Sequence, residues 1–119
     1  MEIKQILQRY NDFISSNIDD IDVFIGQSFS ADSTHINIYP TIYSFTYDQE
    51  YCNIVVETVL PKQDLSAGME FADNISKIIE LDNLDDIRLS SYDTEFFWNE
   101  DIAGVIIIFN IMLQIKRCR

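Results

Sequence analysis

The sequence predicts an α+β fold in which two amphipathic helices pack on one face of a mostly antiparallel sheet. Three observations lead to this prediction: two segments repeat apolar residues at helical spacing, five segments have the alternation of strands, and short turns join successive strands. The predicted order is α-β-β-β-α-β-β. At 119 residues the chain is long enough for one core, so we expect a single domain over residues 1–119.

The two helices are recognised by the spacing of their apolar residues. The first is predicted over residues 2–16, where the apolar positions are Ile3, Ile6, Leu7, Tyr10 and Ile14. The second is predicted over residues 65–81, with an apolar stripe formed by Leu65, Met69, Ala72 and Ile79 and joined by Ile75 and Ile78. Asp64 or Ser66 is expected to cap its start, because a side-chain oxygen there accepts hydrogen bonds from the free amides of the first turn.

A short strand and a hairpin are predicted between the helices. The short strand is Val23–Ile25, made of β-branched and aromatic residues. Residues 35–47 alternate well but contain Pro40, which cannot donate to a ladder, so we expect an edge strand or a bend there. A tight connection at 48–49 leads to a strand over residues 51–60, whose shared face holds Cys52, Ile54, Val56 and Leu60.

The last two strands are predicted over residues 87–98 and 104–117 and form a second hairpin. One face of the earlier strand is expected to hold Arg88, Ser90, Tyr92, Thr94, Phe96 and Trp98. One face of the final strand is apolar throughout, with Val105, Ile107, Phe109, Ile111, Leu113 and Ile115. Its other face is apolar only at first, so we expect the strand to run out of the body of the protein, into solvent or onto a partner.

The formal net charge of −12 is the strongest compositional feature. It argues against nucleic-acid binding through phosphates and against an anionic membrane surface, because the eight Lys and Arg residues form no basic stripe. Two interpretations stay open: ordinary solubility, or an acidic surface that suits a basic partner or repels DNA. The N-terminus lacks an apolar signal segment and the apolar run 105–111 is too short to span a bilayer, so we expect folding in a cytoplasm.

The titratable residues form no recognisable catalytic motif. His35 is the single histidine, and its sequence neighbours Asp32 and Ser33 lie on a loop without the geometry of a triad, so we expect a solvent-exposed residue at a strand start. A paired-carboxylate glycosidase is left open, although twenty acidic residues produce chance pairs. The acidic groups lack the glycine and the closing glutamate of a calcium loop; they are Asp19/Asp20/Asp22, Asp82/Asp85/Asp86 and Glu95/Glu100/Asp101.

The two cysteines give no metal or disulfide pattern. Cys52 and Cys118 are far apart in the sequence and belong to no CxxC pair. We expect both to be free thiols in a reducing compartment. Taken with the absence of a glycine-rich phosphate loop, these observations predict no enzyme activity, no metal and no cofactor.

Large apolar residues around the last hairpin predict a contact with another protein chain. Phe96, Phe97 and Trp98 are adjacent and alternate between the two faces of their strand, so at least one faces away from the core. Ile106 and Ile108 lie on the second face of the last strand in the same way. We therefore predict a subunit interface at these five residues. The alternative, that this same chain covers both faces, is open at this point.

The order and character of the elements resemble the tail-terminator proteins of tailed bacteriophages and of contractile particles such as R-type bacteriocins. The likeness covers the opening amphipathic helix and four further segments: DVFIGQSF, HINIYPTIYSFTYDQEYCNIVVETVL, SAGMEFADNISKIIEL and FFWNEDIAGVIIIFNIMLQIKR. It is a likeness of layout without a short diagnostic motif. It therefore assigns no functional residue position by position.

This resemblance implies a structural role. The chain would form a homo-oligomeric, hexameric ring that caps the tail tube and contacts tube and sheath proteins, with an acidic channel lining that lets DNA pass. It would assemble in a bacterial cytoplasm and then become part of the virion or released tail particle. Two rivals come from the residues: an acidic chaperone or adaptor that binds a partner protein, and a DNA-mimic inhibitor, ranked lower because the acidic residues are spread among loops.

Overall fold

The structure, a computed structural model, describes residues 3–19, 21–26, 33–45, 50–81, 84 and 86–115. Its elements are α1 Ile3–Asn17, β1 Asp22–Ile25, β2 His35–Phe45, β3 Glu50–Leu60, α2 Leu65–Glu80, β4 Ile87–Asn99 and β5 Gly104–Ile115. The predicted α+β fold and the order α-β-β-β-α-β-β are confirmed. The predicted strand ends at 46–47 and 116–117, and Cys118, lie outside the described residues.

The five strands form one sheet in the order β1-β2-β3-β5-β4. β1 pairs with β2 in parallel, and the other three pairings are antiparallel, so the sheet is mostly antiparallel as predicted. β5 pairs with β3 and with β4 from its first residues to Ile115. The expectation that β5 runs out of the body is therefore wrong, because a neighbouring strand satisfies its backbone on each side along its whole described length.

Both helices pack on the same face of this sheet and form the core with it. The apolar face of β5 is fully or almost fully buried there, from Val105 to Ile115. At about 1.5–3 kcal/mol for each large side chain, burial of these six residues is worth on the order of 10–15 kcal/mol before entropy is subtracted. The helices contribute Ile6, Leu7, Tyr10, Phe13 and Ile14 from α1 and Ala72, Ile75 and Ile79 from α2.

The start of α2 is set by a capping residue and by a glycine. Asp64 is the N-cap, and its side chain accepts a hydrogen bond of 2.8 Å from the amide of Ala67, which satisfies one free amide of the first turn. Gly68 is buried against β5, where an added Cβ would lie 3.1 Å from Cγ1 of Val105. The missing side chain lets the helix approach the sheet closely.

Two strands contain an irregularity that changes which side chains share a face. In β2 the register shifts between Pro40 and Ile42, so the predicted bend at the proline is confirmed. The alternative, an edge strand, is wrong, because β2 pairs with β1 on one side and with β3 on the other. In β4 the register shifts between Leu89 and Ser91, which leaves Ser90 as an extra residue. Because of this bulge, Arg88 lies on one face of the sheet, and Tyr92, Thr94, Phe96 and Trp98 lie on the other. The prediction that Arg88 and Ser90 share a face with these four residues is therefore wrong.

Candidate functional site

His35 begins β2, as predicted, but it is buried and not solvent-exposed. Its Nδ1 lies 2.9 Å from the carbonyl oxygen of Ser33, which accepts a hydrogen bond from the ring. The ring of Phe24 stands edge-on at a centroid distance of 6.1 Å. The predicted exposure failed because β1 pairs alongside β2 at this point and brings Phe24 beside the imidazole. Ser33 contacts the ring through its backbone, which is not the arrangement of a nucleophile and its base.

The other titratable groups are held in structural contacts. Glu50 is buried and accepts a 2.6 Å hydrogen bond from the hydroxyl of Tyr43. Cys52 is a buried free thiol, and burial, helped by the charge of Glu50, raises its pKa to about 11. Arg9 and Asp86 form an ion pair that joins α1 to the segment before β4. Within the described part of the chain, no group of three or more His, Cys, Asp or Glu residues is arranged to hold a metal ion.

The second face of the sheet is the larger feature, because neither described helix packs on it. We call it the helix-free face. On the neighbouring strands β3, β5 and β4 this face consists of Tyr51, Asn53, Val55, Glu57 and Val59 of β3, Ile106, Ile108, Asn110, Met112 and Gln114 of β5, and Arg88, Ser91, Asp93, Glu95 and Phe97 of β4. Asp22 and Phe24 of β1 and His35, Asn37, Tyr39, Ile42 and Ser44 of β2 continue it through the register of the remaining pairs.

One end of the helix-free face is apolar. Val59, Ile106 and Phe97 lie side by side on three neighbouring strands. Ile108 lies one step further along β5, between Glu57 and Glu95. Both isoleucines are only partly buried in the subunit, so each keeps apolar surface in contact with solvent.

Three adjacent aromatic residues stand at the end of β4, next to the turn into β5. Phe96, Phe97 and Trp98 are 41%, 46% and 52% exposed, and we call them the hairpin-end aromatics. Of the five predicted interface residues, the structure brings Phe97, Ile106 and Ile108 together on the helix-free face. It places Phe96 and Trp98 on the opposite, helix-covered side, through their pairing with Ile107 and Val105.

Sequence reasoning missed two further exposed residues at this end of the molecule. Leu65 and Met69 were expected in the buried stripe of α2, but they are 51% and 59% exposed. The helix is rotated so that Gly68 faces the sheet over Val105, which pairs with Trp98. The first turns of α2 therefore lie near the same end as the hairpin-end aromatics. Gly68 is the residue in the sequence that could have indicated this orientation. Because it has no side chain, it lets the helix backbone come closer to the sheet than its neighbours in that turn do.

The helix-free face also carries negative charge. Its described side chains with a formal charge at pH 7 are Asp22, Glu57, Asp93, Glu95 and Arg88, four carboxylates against one guanidinium, a formal net charge of −3. Asp93 accepts a 2.9 Å hydrogen bond from Asn110. Desolvation by burial raises the pKa of the Tyr39 hydroxyl, and the nearby charge of Glu57 raises it further.

No protein-family model matches this chain, and no curated protein matches it. Among the described residues, no helix is long and apolar enough to cross a membrane.

Proposed function

We propose that this chain is a structural subunit that assembles through the helix-free face and the hairpin-end aromatics and does not catalyse a reaction. The observation that carries the proposal is the exposure of Phe96, Phe97 and Trp98 beside an apolar sheet end that neither described helix covers. Exposed aromatic and aliphatic side chains that lie together are typical of protein–protein contacts, in which aromatic residues are enriched. Because the aromatics project to both sides of β4, one hairpin end can contact two neighbours or two surfaces of one neighbour.

The assembly that we propose is a hexameric ring that caps the tail tube of a phage or phage-tail-like particle and contacts its tube and sheath proteins. The likeness of layout to tail terminators supports this choice. A ring needs a heterologous interface, in which the hairpin end of one subunit packs on a different surface of the next. The net charge of −12 suits a ring through which DNA passes, since like charges keep phosphates from adhering. Assembly would take place in the bacterial cytoplasm, and the ring would then remain in the particle.

Deletion of the gene in the phage or bacterium that carries it tests this role. We expect particles whose tails vary in length and lack a cap in electron micrographs, and we expect the wild-type gene to restore uniform tails. A Phe97→Ser, Ile108→Ser gene should fail to restore them, whereas Leu81→Ser, a change at an exposed apolar residue far from the hairpin end, should succeed. Capped tails of normal length in the deletion strain would show that the tail-capping role is wrong.

An acidic chaperone or adaptor is the second candidate, and the net negative charge of the helix-free face favours it. Such a protein would bind one basic partner chain through this face and would form no ring. It predicts a dimer or a one-to-one complex in sedimentation experiments, together with tails that are unaffected by the deletion.

A further inference from the structure

We propose that the helix-free face binds a cationic segment of another protein, in which Lys or Arg side chains stand next to aliphatic ones. The proposal deepens the assembly role and depends on the helix-free face being a contact surface. It assigns the chemistry of the partner, which the tail-capping role leaves open.

Negative charge is concentrated at one part of the helix-free face. Glu57 and Glu95 flank Ile108 on the two neighbouring strands, so at about 4.8 Å between strands their backbones are roughly 10 Å apart. The basic residue of the face, Arg88, pairs with Gln114. Gln114 lies six residues beyond Ile108 on β5, which is about 20 Å at roughly 3.4 Å per residue. Arg88 therefore does not neutralise the two glutamates.

An unsatisfied hydrogen-bond acceptor lies beside one of these glutamates. Asn37 is directly beside Glu57 in the register of β2 and β3. Its side chain is 5% exposed, and its Oδ1 accepts no hydrogen bond from any described residue. Glu57 likewise forms no ion pair within the described part of the chain. The partly exposed Glu57 carboxylate, next to this buried oxygen, gives a local negative potential that a guanidinium or ammonium group of a partner would satisfy.

Apolar surface lies between the two charges. Ile108 separates the two carboxylates, and Ile106 and Phe97 lie next to it. A partner that offered charge alone would leave these side chains in water, whereas a segment with aliphatic residues between its cations would cover them.

The same charges disfavour a second copy of this face as the occupant. Two opposed helix-free faces would each bring a formal net charge of −3 into one interface, and unpaired like charges in a desolvated contact are strongly unfavourable. The occupant is therefore a surface of opposite charge and not the same face of a second copy.

Methyl spectra of the full chain with labelled isoleucine test the proposal directly. The probe is a capped peptide in which Lys and Val alternate, and the control peptide has Glu in place of Lys. We expect the Lys peptide to shift the δ1-methyl signals of Ile106 and Ile108, while Ile107 on the helix-covered face stays unmoved. Binding should weaken as salt is added, because the attraction between exposed charges is screened.

Two variants with equal charge changes separate a specific site from general attraction to an acidic protein. Glu57→Gln, Glu95→Gln removes two charges from the face, and Glu70→Gln, Asp73→Asn removes two from the exposed side of α2. We expect the face variant to lose at least about tenfold in affinity, as for the loss of one or two charge-assisted contacts, and the helix variant to bind as the wild type does.

Equal binding by both variants, equal binding of the Glu peptide, or shifts confined to other methyl groups would overturn the proposal. Its failure is distinct from that of the tail-capping role. Capped tails after gene deletion with peptide shifts at Ile106 and Ile108 would refute only the particle role, and uncapped tails without those shifts would refute only the cationic partner.

Discussion

Ile107 and Ile108 provide a matched test of the two faces, because they are the same residue at adjacent positions of β5. Ile107 is fully buried beneath the helices, whereas Ile108 is partly buried on the helix-free face. Replacing a fully buried isoleucine by alanine costs about 2–5 kcal/mol, through lost transfer energy and the cavity that is left. We expect Ile107→Ala to lower the free energy of unfolding by about 3–4 kcal/mol, toward the middle of that range, because Ile107 lies between the two neighbouring strands and under α2.

Ile108→Ala should cost about 1 kcal/mol in the isolated subunit, because less apolar area leaves water there on folding. Urea unfolding followed by far-ultraviolet circular dichroism gives both values, provided that the slope against denaturant is unchanged. If Ile108 lies in an interface, its cost should rise with protein concentration while that of Ile107 stays constant. Equal costs for the two variants at the lowest concentration would refute the assignment of a covered and an uncovered face.

Three further predictions concern single residues. In a Cys118→Ser background, Cys52 should resist a thiol reagent at pH 8 in the native state, because its pKa is raised to about 11. Since this folded pKa exceeds the unfolded value of about 8.5, the stability that the neutral thiol contributes should be complete below that value and decline as the pH rises toward about 11. Gly104→Ala should lower the melting temperature sharply and cost about 3 kcal/mol, because an added Cβ would lie 2.0 Å from the carbonyl oxygen of Leu60. Asp64→Ala should cost about 1 kcal/mol and Asp64→Asn much less in thermal unfolding, because Asn can keep the capping hydrogen bond.

Element type and order could be predicted from the sequence because each element carries a clear period. The unbroken alternation from Val105 to Ile115 identified a strand with one buried face, and the structure buries those residues. The position of that strand in the sheet could not be predicted in the same way. The hairpin of β5 with β4 was predicted and is present. Periodicity reports which side chains share a face but not which distant strands are neighbours, so the pairing of β5 with β3 was missed.

Local irregularities account for the other errors in the fold. Ser90 is an extra residue in β4, and every side chain before it is on the opposite face from the one that strict alternation predicts. The apolar stripe of α2 is wide enough for the helix to pack on the sheet in two orientations about its own axis. The helix packs with Gly68 against Val105, and a glycine has no side chain to count as apolar in the sequence pattern. His35 is buried by Phe24 across a parallel pairing that no short-range pattern indicates.

The exposure of the hairpin-end aromatics could be predicted because it follows from local geometry. Three consecutive large aromatics in one strand must project to both faces, and Phe96, Phe97 and Trp98 are indeed exposed on both sides of β4. The grouping of Glu57, Glu95 and Asn37 on the helix-free face could not be predicted. These residues come from three separate strands and are brought together only by the order of the strands in the sheet.

Sedimentation velocity on purified protein tests the central claim, that the uncovered apolar surface is an assembly surface, most directly. The wild-type chain, alone or with isolated tail tubes, should sediment as a closed ring of several copies. Phe97→Ser, Ile108→Ser should sediment as a folded monomer, and the control variant Leu81→Ser should form the wild-type species. A wild-type chain that stays monomeric at every concentration and in the presence of tubes, or a Phe97→Ser, Ile108→Ser chain that assembles as the wild type does, would contradict the account.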